Sequence, residues 1–108
     1  MSATIKTITA DEIEAINWRT LNTHVYGPIA KESEGLVCLA VEVDGATVAY
    51  LVAEATDLWH IEVNAAHRGH GYAKRLIAEA GIRFAWEVCS DESANLLESL
   101  NINFEDVR

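Results

Sequence analysis

The chain has 108 residues, half of them apolar, with six glycines and one proline. That bounds it to a single domain over 1-108 with enough apolar material for a core, and argues against disorder. A formal net charge of -9 disfavours non-specific binding to nucleic acid or an anionic membrane, and fits a cationic partner.

In chain order, Ala3 to Ile8 reads as a short strand, with Ile5 and Ile8 apolar and Lys6 between them. Thr9 is placed to cap a helix, and Glu12 stands three residues later as in a capping box. Ile13, Ile16 and Leu21 then mark a helix face, with Ala15 and Trp18 near its edge. Asn22 to Pro28 is a break, because Gly27-Pro28 cannot continue a helix, and Ile29 to Gly35 is a polar connector or a short turn of helix. Leu36 to Val43 and Ala46 to Ala53 are apolar and β-branched, with Asp44-Gly45 between them. That pair supports a type I′ turn and predicts a hairpin. Leu58 to Val63 is a third strand of this group. Alternation puts Trp59, Ile61 and Val63 on one face and Leu58, His60 and Glu62 on the other.

The next stretch carries the chemistry. The strand runs into R-x-x-G-x-A (Arg68, Gly71, Ala73), and an amphipathic helix follows over Tyr72 to Ala80. Glycines admit positive φ and close approach of the backbone. A helix start offers free N–H groups and the positive end of its dipole. No acidic residue lies between Val63 and Ala78, whereas Arg68, Lys74 and Arg75 do, flanked by His67 and His70. A basic island on an acidic chain points to an anionic ligand such as a pyrophosphate. Gly69 and Gly71 are followed by Lys74 rather than a third glycine, so the dinucleotide fingerprint fails, and no P-loop motif occurs.

From Gly81 to Cys89 two patterns compete. Leu76, Ala80, Phe84 and Val88 keep a helical spacing. Ile82, Phe84, Trp86 and Val88 also alternate with Arg83, Ala85, Glu87 and Cys89. Gly81 as a helix C-cap favours the strand. Ser90 or Asp91 caps a last helix near Glu92 to Leu100, with Leu96, Leu97 and Leu100 facing inward.

Val63, Arg68, Gly71 and Ala73 match the signature of the GCN5-related N-acetyltransferase family, which the chain resembles here with family spacing. The resemblance continues past the helix, where members commonly read N-x-x-A-x-x-L-Y-E-x-x-G-F. The frame here is E-S-A-N-L-L-E-S-L-N-I-N-F from Glu92 to Phe104. Glu92 stands for Asn, Asn95 for Ala, Ser99 for Tyr and Asn103 for Gly, while Phe104 is kept. The fold so implied is α/β (α+β): one mixed, mainly antiparallel sheet flanked by helices, in the order β-α-β-β-β-α-β-α. Against the family pattern the chain looks like a minimal or C-terminally truncated member, with only Glu105 to Arg108 after Phe104.

The resemblance implies acetyl-CoA as cosubstrate and no metal. Its pyrophosphate would lie on the N–H groups of Arg68 to Ala73, with pantetheine and carbonyl at Val63 and its neighbours. The cofactor-binding set is Ile61, Val63, His67, Arg68, Gly69, His70, Gly71, Tyr72, Ala73 and Lys74. Glu62 and His60 share one strand face close to the expected thioester. Either could take the amine proton, with Glu54 as a third candidate. The family position for the general acid, usually a tyrosine, is Ser99, which is shorter and far less acidic.

The implied activity is transfer of an acetyl group to an amine, and the acidity suits a cationic one. The alternative is a catalytically weak CoA-binding sensor or interaction module. Trp18, Trp59 and Trp86 read as core or rim packing rather than a stacking platform, and His24 as a surface residue. Cys38 and Cys89, each in an apolar run, read as buried free thiols. No leader and no run approaching the ~18 residues of a membrane span is visible. The expectation is a cytoplasmic protein without nucleic-acid or membrane partners, and exposed sheet edges suit a homodimer.

Overall fold

A computed structural model describes residues 3–16 and 35–108. The expectations for Trp18, Leu21, His24 and the Gly27-Pro28 break lie outside the described residues. Six strands form one sheet in sequence order: β1 (Ala3–Thr7), β2 (Leu36–Val43), β3 (Ala46–Glu54), β4 (Asp57–Val63), β5 (Phe84–Val88) and β6 (Asn103–Asp106). The first four pair antiparallel, and β4–β5 and β5–β6 pair parallel. Among the described residues the helices are α1 (Ala10–Glu14), α2 (Tyr72–Ala80) and α3 (Asp91–Ser99). None is long and apolar enough to cross a membrane.

Local chemistry sets the elements. The Thr9 side chain accepts from the Glu12 N–H while Glu12 reaches back to the Thr9 N–H, so the capping box that starts α1 is complete. Asp44 (φ 52) and Gly45 (φ 81) are both left-handed, as a type I′ turn requires. Gly81 (φ 67) ends α2 and its N–H bonds to the carbonyls of Ala78 and Ile77, which decides the ambiguous stretch for a strand. The Ser90 side chain accepts from the Ser93 N–H at the start of α3.

The sheet has two faces. Leu39, Val41, Leu51, Ala53 and Leu58 pack under Leu76 and Ile77 of α2 and Ala94 and Leu97 of α3. Cys38, Ala40, Tyr50 and Val52 pack under Ile13 and Ile16, on the α1 face. Each fully buried leucine contributes about 1.5–3 kcal/mol relative to an exposed one.

Three expectations change. The chain after α3 returns as β6, which pairs with β5 and is tied at its end by Val107 N–H to the Val88 carbonyl (2.9 Å) and by Arg108 to Asp91 and Asp106. Four residues without β-branching, with Phe104 alone favouring a strand, carry a weak signal; the strand exists because β5 offers an open edge. In β4, a bulge between the Val52/His60 and Ala53/Leu58 pairs leaves Trp59 as an extra residue. Leu58 therefore packs with Ile61 and Val63 against α2 and α3, not with His60 and Glu62. In β5, Glu87 takes a left-handed conformation (φ 48) where the register shifts between Ala85 and Val88. Ala85 and Val88 both turn inward, Phe84 and Trp86 turn away, and Cys89 is exposed rather than buried. Cys38 is buried, as expected.

Candidate active site

Strands β4 and β5 pair only at Asp57/Phe84 and Leu58/Ala85. Beyond that point they diverge, and a cleft of about 620 Å³ opens between them. The β4 stretch from Trp59 to Val63 forms one wall and Trp86 to Ser90 the other. The loop after β4 and the start of α2 close one end, and Ser93, Leu96 and Leu97 of α3 form the floor. Parallel strands that part leave main-chain N–H and C=O groups without ladder partners. That is a wall able to bond an extended amide-bearing ligand.

The loop is held from behind. The Asn64 N–H bonds to the Val48 carbonyl (2.8 Å), and its side chain accepts from the Ala66 N–H at the start of a short 3-10 turn, Ala65–His67. Gly69 (φ 84) and Gly71 (φ 76) are left-handed, and a Cβ on either would meet nothing within 4 Å. These glycines are therefore not demanded by protein packing. They supply the backbone path and leave space in front of the helix. Gly71 is the N-cap of α2, and no side chain caps that terminus. The first-turn N–H groups face the cleft with the positive end of the helix dipole. The His70 Nδ1–H donates to the carbonyls of His67 (3.0 Å) and Arg68 (3.2 Å), and its ring stacks on Tyr72. Arg68 reaches across the mouth to Glu92 (3.8 Å); both are exposed, so the pair is weak and the guanidinium stays available.

Of the ten residues expected to hold the cofactor, nine line this cleft: Ile61, Val63, His67, Arg68, Gly69, Gly71, Tyr72, Ala73 and Lys74. His70 braces the loop instead. The free helix start, the open space at the two glycines and the parted strands fit an extended ligand with a pyrophosphate, as in CoA.

Glu62 and His60 also line the cleft, and their side chains are mostly buried, with 12% and 15% exposed. The His60 Nε2 lies 3.1 Å from Glu62 Oε2, and the Tyr50 hydroxyl donates to the same oxygen at 3.4 Å. Burial pushes the His60 imidazole below its usual pKa, against the smaller opposing pull of Glu62. It is neutral at pH 7, and a carboxylate partner assigns its proton to Nε2. His60 thus donates to Glu62, and both contacts fall on Oε2. Oε1 has no partner among the described residues. Sequence reading missed Tyr50 because it looks like one more core residue of β3; only its register opposite Glu62 reveals the contact.

Two candidates are not brought to the cleft. Glu54 is exposed at the far end of β3, opposite Asp57. Ser99 is exposed in the last turn of α3, and its hydroxyl donates to the Leu96 carbonyl (2.7 Å). The left-handed residue after α3 is Asn101 (φ 57), not Asn103. Among the described residues, no group of His, Cys, Asp and Glu could hold a metal ion.

No protein-family model and no curated protein matches the sequence. Solved structures do. An aminoglycoside N-acetyltransferase, AAC(6')-Iy, in complex with CoA, is similar over 94% of this chain and 88% of its own, with TM-score 0.66 and 17% identity. Diaminobutyrate acetyltransferase EctA from Paenibacillus lautus, in complex with L-2,4-diaminobutyric acid and coenzyme A, is similar over 93% and 74%, with TM-score 0.64 and 19% identity. A ribosomal-protein-alanine N-acetyltransferase from Brucella melitensis biovar Abortus 2308 gives TM-score 0.57 and 19% identity over 97% and 78%. With its strands parting beside a glycine loop and a free helix start, the chain has the fold of the GCN5-related N-acetyltransferases.

Proposed function

We propose that this protein is a member of that family and moves an acetyl group from acetyl-CoA to the primary amine of a small molecule or protein. The observation that carries the reading is the juxtaposition of an anion-binding helix start with a cleft between parted strands, and a buried carboxylate, Glu62, on one of those strands. Three structural neighbours are named as acetyltransferases acting on amines, and two of them were solved with CoA.

Acetyl-CoA supplies an activated thioester. The chain's own residues do the rest. Arg68, Lys74 and the N–H groups at the start of α2 hold the pyrophosphate, and the free edge of Trp59 to Val63 aligns the pantetheine. Glu62 takes the proton from the ammonium through Oε1, and the His60 and Tyr50 donors hold its other oxygen. His60 is taken as the orienting partner of Glu62, because its Nε2–H bonds the carboxylate. No acid is assigned to the thiolate. It is a good leaving group near neutral pH, and Ser99 lies outside the cleft.

Titration calorimetry with CoA and acetyl-CoA, followed by an amine screen with thiol detection, tests this. Micromolar binding and turnover with at least one amine are expected. Binding without turnover on any amine would instead favour the CoA-binding sensor, and no binding at millimolar ligand would end both readings.

A further inference from the structure

The cleft is unlike at its two ends. Its loop end carries His67, Arg68 and Lys74, with the exposed Glu92 against Arg68. Its strand walls carry Glu62 and Glu87, Asp57 stands just outside, where the strands still pair, and β4 and β5 hold no Lys or Arg. Two tryptophans stand beside those carboxylates, and both are large apolar side chains left exposed: Trp59 at 40% and Trp86 at 42%. Both line the cleft.

The bulges put them there. Leu58 and Ile61 pack towards α2 and α3, so the extra residue of β4 leaves Trp59 outside that core, next to His60. Ala85 also packs inward, so Trp86 stands on the opposite face with Phe84, whose ring meets it edge-on at 4.8 Å. The indole N–H of Trp86 donates to Asp57 Oδ2 at 3.1 Å, which fixes the ring at the point where the strands part. Trp59 and Trp86 are thus at the rim of the cleft rather than in the core, the rim position that the packing expectation allowed.

An exposed indole held beside carboxylates is an environment for a cation, since the ring face and the acids attract the same charge. The reacting amine cannot be that cation throughout, because it must lose its proton to attack. The lasting attraction serves a charge that does not react. We propose that the acceptor is an amine bearing a second group that stays positively charged at neutral pH, such as an alkyl diamine. The second group lies against Trp59 and Trp86 near Asp57 and Glu87 while the reacting nitrogen meets Glu62. This rests on the transferase reading and names its substrate class.

Cadaverine, pentylamine and aminopentanoate share an alkyl amine and differ in the charge at the far end. Calorimetry on the CoA-bound protein is expected to show cadaverine binding about ten-fold tighter than pentylamine, with aminopentanoate weakest. Trp59→Leu and Trp86→Leu should each lower the cadaverine-to-pentylamine ratio about three- to ten-fold, and Trp59→Phe and Trp86→Phe should keep most of it. Thermal melts identify a variant that fails to fold, and the Phe pair keeps the test valid in that case. Equal affinity for cadaverine and pentylamine in the native protein overturns the proposal, as does a preference that survives both Leu substitutions. Parallel acetyl-transfer assays separate the two levels. Transfer to all amines without a diamine preference defeats only this inference, whereas a diamine preference in binding with no transfer to any amine defeats the enzyme reading.

Discussion

Gly71 and Gly45 make a matched pair. Both are left-handed, at φ 76 and φ 81, and a Cβ on either meets nothing within 4 Å. Alanine at either site should therefore carry only the backbone strain of that conformation, about 1–2 kcal/mol. For a domain of this size that is a fall in Tm of roughly 4–8 °C per kcal/mol, similar in the two variants. Their surroundings differ. Gly45 lies in the β2–β3 turn, while Gly71 lines the cleft at the start of α2. A methyl group at Gly71 stands in the space in front of the free N–H groups. Gly71→Ala should weaken CoA binding by about ten-fold or more, equivalent to ~1.4 kcal/mol, while Gly45→Ala leaves it unchanged. Gly71→Glu, which adds a negative charge at that point, should abolish binding. Thermal melts and calorimetric titration on both alanine variants give the comparison. Equal CoA affinity in the two would refute the placement of the pyrophosphate at α2.

Glu62→Gln is expected to lower kcat about 10²–10⁴-fold with little change in CoA affinity, and Tyr50→Phe to lower it less, since it removes one long hydrogen bond to Oε2. A kcat in Glu62→Gln equal to that of the native protein would remove the base assignment. His60 gives a pH signature in stability. Its folded pKa is depressed below the usual 6.5, so the unfolded chain binds the proton more readily as pH falls. Stability should be fully present above about pH 6.5 and be lost as pH falls towards the folded pKa; urea midpoints across this range should flatten in His60→Gln. Thr9→Ala removes the acceptor for the Glu12 N–H in the capping box and should cost about 1 kcal/mol in urea unfolding. No loss there would show that α1 is held by Ile13 alone.

The features legible in the order of the residues are local. The capping box at Thr9 and Glu12, the Asp44-Gly45 turn, the Gly81 stop and the loop into α2 were all readable, because each rests on interactions within a few residues. They were enough to indicate the mixed sheet, and nine of the ten residues expected to hold the cofactor line the cleft. Parity and company emerge only when the strands pair. The extra residues at Trp59 and Glu87 flip which side chains face inward, and a bulge is a mismatch between two strands, visible in neither alone. For the same reason Leu58 left the face of Glu62, Cys89 came to the surface, and both tryptophans turned into the cleft. Tyr50 reaches Glu62 across strands that are twelve residues apart in sequence. Strand β6 forms from a weak segment because β5 offers it an edge. Pairing partners set these features, and partners are a property of the fold.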